Sequence, residues 1–161
     1  MPGPQAVLNP LSTDEARVAL ARCCGSSRWV DGMLARRPWT SDAALYADAG
    51  SIWSGLARTD LLEAFASHPR IGGQAADAWS RQEQAAASAA DVETRRALAD
   101  ANDRYVARFG YIFIVCATGK TASEMLGLLQ ARLDNDPARE LEIAAAEQAR
   151  ITRLRLEKLG R

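Results

Sequence analysis

The sequence predicts an all-α protein: a single-domain bundle of about eight helices over residues 1–161, with one short extended apolar connector. Hydrophobic residues make up 48% of the chain, and many of them are alanines, which favours closely packed helices. Two capping boxes, Ser12 with Glu15 and Thr121 with Glu124, each precede a run of helical periodicity. A chain of 161 residues can bury one core but is too short to suggest two.

Residues 1–11 contain three prolines and are predicted to be an extended lead-in. Most of the helices that follow have a serine, threonine or aspartate where the first turn needs a cap, and several stop at a glycine or proline. The predicted helices run from Ser12 to Cys24, from Ser26 or Ser27 to Pro38, from Thr40 or Ser41 past Trp53, from Thr59 to Phe65, over residues 78–88, from Asp91 to Arg108, from Thr121 to Leu133, and from Pro137 to Leu159.

The connector, Tyr111–Ala117, is the most apolar stretch of the chain. Its aromatic and β-branched residues favour an extended backbone, but no partner strand is evident. Because periodicity cannot settle such a short run, it is either a buried extended segment or the start of a helix. Its role is likewise open: the connector is either plain core or an irregular backbone whose unused N–H groups face a ligand.

The charge balance of 20 basic and 20 acidic residues argues against a nucleic-acid partner. No apolar run reaches the ~20 residues of a membrane span, and neither terminus resembles a secretory, peroxisomal or lipidation signal. The three cysteines, two of them adjacent, predict buried thiols in a reducing cytoplasm rather than disulfides. With one histidine and no ligand spacing, no metal site is expected.

His68 is the only histidine, and it lies where a predicted helix ends at Pro69. A histidine in such a place is most often a surface or hydrogen-bonded core residue. Its ordinary pKa of about 6.5 also suits proton transfer near neutral pH. No serine or cysteine lies in a nucleophile-elbow pattern, so the sequence does not indicate covalent catalysis.

Ser80, Glu83 and Gln84 share one face of the predicted helix over residues 78–88, at about 100° per residue. Taken alone, such a face is usually solvated. Its position just after the His68 loop would allow a turn to bring Glu83 towards the imidazole. In the last helix, Arg155 lies about 40° from Ile151 and is predicted to point inwards, while Arg153 points outwards. Arg155 is then either a snorkelling side chain or a guanidinium that binds a carboxylate or urea-like oxygen.

An ordered set of short motifs spans nearly the whole chain. The motifs are Leu8-Asn9, Trp29-Val30, Arg37-Pro38, His68-Pro69-Arg70-Ile71-Gly72, Ser80-x-x-Glu83-Gln84, Asn102-x-x-Tyr105-x-x-Arg108-Phe109-Gly110-Tyr111, Arg132-Leu133-x-Asn135, Glu140 and Ile151-x-x-Leu154-Arg155-Leu156. Together they resemble the OHCU decarboxylase family, the 2-oxo-4-hydroxy-4-carboxy-5-ureidoimidazoline decarboxylases of the urate-to-allantoin pathway.

The resemblance implies an all-helical, cofactor-independent carboxy-lyase, often a homodimer, that converts the ureidoimidazoline to (S)-allantoin and CO2. It implies that His68 is catalytic and that Glu83 is its carboxylate partner. The positions that match substrate contacts are Pro69, Ser80, Gln84, Arg155 and the backbone of Phe113, Ile114, Val115, Cys116 and Ala117.

The chemistry fits these residues, because the ring imine beside the departing carboxylate can accept the electron pair without a metal or a cofactor. We expect His68 to deliver the proton to one face, Glu83 to orient His68 and the substrate hydroxyl, and Arg155 to anchor the anionic or carbonyl end. The alternative from another class is a non-catalytic helical module. A phosphotransfer domain is disfavoured because its histidine should lie mid-helix and exposed.

Overall fold

The computed structural model describes residues 1–70 and 92–161, which form eight α-helices and no strand. The predicted all-α class is therefore confirmed. The helices are α1 (Pro4–Leu8), α2 (Thr13–Cys23), α3 (Ser27–Ala35), α4 (Asp42–Ser54), α5 (Arg58–Ala66), α6 (Val92–Phe109), α7 (Ala122–Arg132) and α8 (Pro137–Leu159). No helix in these two ranges is long and apolar enough to cross a membrane.

The chain divides into two compact units. The first unit contains Met1–Ser67 together with Gln148–Arg161, and therefore holds α1 to α5 and the C-terminal half of α8. The second unit is His68–Glu147, which holds α6, α7 and the N-terminal half of α8.

Three helices of the first unit, α2, α3 and α4, begin at caps that the sequence predicts. The predicted start of α5 at Thr59 is wrong, because that helix begins at Arg58 after Ala57, which has no side-chain cap. The Ser12 hydroxyl accepts a hydrogen bond from the Glu15 N–H at 3.1 Å, and the Glu15 carboxylate accepts one from the Ser12 N–H at 2.9 Å. Ser26 caps α3, where its hydroxyl accepts from the N–H of Trp29. The Trp29 indole is fully buried and donates to the Ala49 carbonyl of α4 at 3.1 Å. This bond joins α3 to α4 inside the core of the unit.

The predicted extended lead-in is wrong, because Pro4–Leu8 forms α1. Pro4 lies in the first turn, where a helix has no use for the backbone N–H that proline lacks. The N–H of Gln5, which has no acceptor within a first turn, donates to the Asp42 carboxylate at 2.9 Å. Leu8 is fully buried. A contact 37 residues away in sequence therefore stabilises this helix.

The second unit is organised around one buried stripe of α6. Leu98, Asn102, Tyr105 and Phe109 are all buried, as their helical spacing predicts. The Tyr105 ring contacts the Phe109 ring at a centroid distance of 4.7 Å and the Phe113 ring at 5.4 Å. The connector between α6 and α7 is neither helix nor strand, and all of its residues except Ile112 are buried. The question left open by its sequence is thus settled in favour of an irregular buried segment.

The three cysteines are buried and form no disulfide, as their spacing predicts. Burial raises the pKa of Cys23 to about 12 and that of Cys24 to about 11. In the unfolded chain both thiols ionise near their ordinary pKa of 9.0. Between pH 9 and pH 11–12 the two thiols are therefore protonated in the folded state and ionised in the unfolded state. Their contribution to the free energy of unfolding is complete below pH 9 and is lost as the pH rises towards 11–12.

We expect the free energy of unfolding, measured in urea, to fall between pH 9 and pH 11. A variant with Cys23→Ala and Cys24→Ala should show a smaller fall, because it lacks the two thiols. The fall that remains comes from other groups that titrate in this range. Equal slopes in the two proteins would show that these thiols do not resist ionisation in the folded state.

Candidate active site

His68 lies at the end of α5, as its position before proline predicts. The helix ends at Ala66, and the hydroxyl of Ser67 donates to the Ala64 carbonyl at 2.7 Å. His68 and Pro69 follow outside the helix and are half-buried. The imidazole is therefore carried by a chain segment that leaves a helix end, not by the side of a helix.

Two neighbouring residues of α6 bind two of the segments predicted to form the site. Asp103 forms an ion pair with Arg70, two residues after His68. Asn102, the next residue along α6, accepts a hydrogen bond from the Phe113 N–H through its side-chain oxygen at 3.4 Å. Consecutive Cα atoms are only about 3.8 Å apart. The His68 segment and the connector are thus attached to the same turn of α6 within the second unit.

The connector is held mainly through its carbonyl groups. Arg132 donates from Nη1 to the Ile114 carbonyl, and Lys120 donates from Nζ to the Cys116 carbonyl, each at 2.8 Å. Among the residues that the structure describes, the main-chain N–H groups of Val115 and Ala117 make no hydrogen bond to another main-chain group. Buried N–H groups in folded proteins nearly always have a partner. These two donors therefore need a partner from outside the described part of the chain.

The arginine that holds the Ile114 carbonyl also belongs to a buried ion pair, Arg132 with Glu140. The Nε of Arg132 lies 2.7 and 3.0 Å from the two carboxylate oxygens of Glu140. The Tyr105 hydroxyl donates to the same carboxylate at 3.0 Å. Burial, more than any neighbouring charge, raises the pKa of Tyr105, so its phenol stays protonated and remains a donor. The arrangement joins α6, α7 and the N-terminal half of α8 within the second unit.

Arg155 is buried and Arg153 is exposed, as the helical period predicts. Arg155 belongs to the first unit, where its Nη1 donates to the Arg22 carbonyl at 3.2 Å. The last carbonyls of a helix have no N–H donor within the helix, and the Arg22 carbonyl is one of these in α2. The contact with Arg155 therefore caps the C-terminal end of α2. The positive charge of Arg155 also lowers the pKa of Cys23, against the larger effect of burial.

The predicted site residues Ser80, Glu83 and Gln84 lie outside the described residues. Within the second unit, the structure brings the His68 segment and the connector to one turn of α6. The residues that hold the connector, Asn102 and Arg132, were not predicted as site residues. The signal that could have found Asn102 is a polar residue on an otherwise apolar helical stripe.

The first unit contains a separate cavity of about 190 Å³ between α4 and α8, lined partly by Tyr46, Trp53 and Arg153. The guanidinium of Arg153 lies 3.6 Å from the centre of the Tyr46 ring. None of the residues that line this cavity is a predicted site residue. Its size alone gives no reason to place the chemistry there.

A sequence model of the OHCU decarboxylase family matches residues 9–157. The chain belongs to the OHCU decarboxylase family. Among curated relatives, it is 42% identical over 146 residues to the uric acid degradation bifunctional protein TTL of Arabidopsis thaliana, covering 85% of this chain and 45% of that protein. It is 28% identical over 153 residues to the bifunctional protein PucL of Bacillus subtilis, covering 92% of this chain and 31% of that protein.

The chain therefore spans less than half the length of these two bifunctional relatives. It is also 28% identical over 130 residues to the 2-oxo-4-hydroxy-4-carboxy-5-ureidoimidazoline decarboxylase of Amia calva, covering 76% of this chain and 74% of that protein.

Two crystal structures share the fold. An OHCU decarboxylase crystallised in the presence of (S)-allantoin is 41% identical, with a TM-score of 0.78 over 86% of this chain and 94% of the other. An (S)-allantoin synthase has a TM-score of 0.74 over 98% of this chain and 54% of the other, at 17% identity, which supports a common fold alone.

Proposed function

We propose that this member of the OHCU decarboxylase family converts 2-oxo-4-hydroxy-4-carboxy-5-ureidoimidazoline to (S)-allantoin and CO2 in urate degradation. The observation that carries the proposal is the likeness to the OHCU decarboxylase crystallised with (S)-allantoin, at 41% identity over 86% of the chain. The geometry of the second unit supports it, because one turn of α6 holds both a buried connector and the segment that carries His68.

The reaction needs no redox step. The bond between the ring carbon and the carboxylate breaks and CO2 leaves. The electron pair forms a double bond to the ureido-bearing carbon, while the imine nitrogen takes up a proton from the solvent and becomes the ring N–H. The ring carbon that lost CO2 keeps its hydroxyl, which becomes the allantoin carbonyl as it gives up its proton. A proton adds to the carbon that bears the ureido group, and the face of addition sets the S configuration.

The proposed residues divide this work. His68 delivers the proton to one face of the ring, and Glu83 orients His68 and the substrate hydroxyl. The N–H groups of the connector, over Phe113–Ala117, bind the ureido and ring oxygens. Arg155 anchors the anionic or carbonyl end. Pro69, Ser80 and Gln84 complete the contacts with the substrate.

We propose a cofactor-independent enzyme, because the imine of the substrate itself accepts the electron pair. A single domain over residues 1–161, a homodimer and a cytoplasmic location complete the proposal. Its partner is the small-molecule substrate, without nucleic acid or membrane.

The test is to generate the substrate in situ from urate and follow the circular dichroism of allantoin with and without the protein. We expect the protein to speed the appearance of the (S)-allantoin signal in proportion to its concentration. If allantoin forms at the uncatalysed rate and without optical activity, the chain is not a decarboxylase. A non-catalytic helical module would, in addition, show no change in melting temperature when (S)-allantoin is added.

A further inference from the structure

We infer that Arg132 is a positioning residue for the decarboxylation, because its guanidinium aims a connector N–H group at the substrate. The inference rests on the proposed function, which uses the connector as a binding surface. Arg132 does not itself need to contact the substrate. It acts through the peptide bond between Ile114 and Val115.

One planar guanidinium contacts three parts of the second unit. Arg132 is carried by α7, its Nε contacts both carboxylate oxygens of Glu140 on α8, and its Nη1 contacts the Ile114 carbonyl. The same group lies 4.4 Å from the centre of the Phe113 ring. Since the donors of a guanidinium are fixed in one plane, anchoring Nε on Glu140 sets the direction of Nη1. The Ile114 carbonyl must therefore face α7.

Fixing this carbonyl also fixes the next N–H group. The only cis peptide bond in the described ranges is Arg37-Pro38, so the bond between Ile114 and Val115 is trans. In a trans peptide the C=O of one residue and the N–H of the next lie in one plane and point in opposite directions. While Arg132 holds the Ile114 carbonyl, the Val115 N–H points away from Arg132. Among the described residues, this N–H group makes no hydrogen bond to another main-chain group.

The connector needs such support because it lacks the repeating hydrogen bonds of a helix or sheet. Each of its residues keeps two soft backbone dihedrals, which only tertiary contacts can fix. Lys120 holds the Cys116 carbonyl in the same manner, but its side chain is flexible and only half-buried. Arg132 is 7% exposed, and its partner Glu140 is fully buried. Arg132 is thus the more rigid of the two anchors.

Stability alone is a poor explanation for this arrangement. Replacing a buried ion pair by well-packed apolar residues often leaves stability unchanged or improves it. The second terminal nitrogen of Arg132, Nη2, is buried and has no hydrogen-bond partner within residues 1–70 and 92–161, which adds a cost. An arginine at this position is explained by the direction that it gives to the connector.

The test is Arg132→Lys in the full chain. Lysine keeps the charge opposite Glu140, but its single ammonium cannot reproduce the planar contacts with Glu140 and the Ile114 carbonyl. We expect the lysine variant to keep most of its thermal stability, to shift the amide resonance of Val115, and to bind (S)-allantoin at least about tenfold more weakly with kcat/KM reduced to match, since small misplacements cost up to about 100-fold.

Arg108 provides a matched control. It also donates to a main-chain carbonyl, that of Asn135 at 2.8 Å, and it also lies over an aromatic ring, that of Phe109 at 5.1 Å. It has no contact with the connector carbonyls. Arg108→Lys should therefore leave the Val115 resonance, the affinity for (S)-allantoin and kcat/KM unchanged.

If Arg132→Lys fails to fold, Tyr105→Phe takes its place. That variant removes only the hydroxyl that fixes Glu140, and should shift the same resonance and lower the affinity less. A folded Arg132→Lys protein with the resonance, affinity and kcat/KM of the parent overturns the inference. If the parent chain neither forms nor binds (S)-allantoin, the proposed function fails, and an unshifted Val115 resonance in Arg132→Lys would separately refute the geometry.

Discussion

Replacing His68 by asparagine is expected to lower kcat for decarboxylation by about 100- to 10,000-fold, the usual contribution of a positioned acid or base. Asparagine cannot deliver a proton near neutral pH, but it keeps a polar side chain at the end of α5. Because His68 is half-buried and outside the helix, its loss should cost no more than about 1.5 kcal/mol of stability, the value of one hydrogen bond. The circular dichroism of the allantoin formed over time measures the change in kcat, and urea unfolding measures the change in stability.

Ser67→Ala is the control for the His68 substitution. Ser67 is the preceding residue and makes its own hydrogen bond to the Ala64 carbonyl, so its loss perturbs the same helix end without touching the imidazole. It should retain the turnover of the parent. Full stereospecific turnover by a folded His68→Asn protein would remove His68 from the mechanism and leave Glu83 as the remaining candidate for the proton transfer.

Replacing Glu140 by alanine is expected to destabilise the fold by about 3–5 kcal/mol, the usual result of removing one partner of a buried ion pair. The variant leaves the guanidinium of Arg132 buried without its carboxylate and leaves the Tyr105 hydroxyl without its acceptor. Urea unfolding at neutral pH measures the change in the free energy of unfolding.

Glu142→Ala provides the comparison on the same helix. Glu142 is exposed, and its ion pair with Arg139 at 3.5 Å is also exposed, so its removal should cost no more than about 1 kcal/mol. Similar losses for the two alanine variants would mean that Arg132 gains another partner when Glu140 is absent.

The sequence predicts those parts of the fold that follow local rules. Ser12, Ser26 and Ser41 cap the helices that follow them, since the hydrogen bonds of a cap join residues only three apart. The inward direction of Arg155 follows from helical geometry in the same way. The helix α1 was missed because its stability depends on Asp42, which no local pattern reveals.

The candidate site likewise has some features that follow from local sequence and others that depend on long-range contacts. The position of His68 after a helix end follows from Pro69, and the residue roles follow from the family resemblance. The support of the connector does not, because Arg132 meets Ile114 across 18 residues and Tyr105 meets Glu140 across 35. A conformation set by such long-range polar contacts has no signature within a short stretch of sequence.

The composition of the first unit has a consequence for how the chain folds during synthesis. Residues 68–147 of the second unit are continuous in sequence, whereas the first unit needs Gln148–Arg161 in addition to its first 67 residues. The contact between Arg155 and Arg22 spans 133 residues. The N-terminal helices therefore emerge from the ribosome first but can complete their unit only after the last turns of α8 have been translated. Until then the nascent protein exposes the apolar face on which α8 will pack.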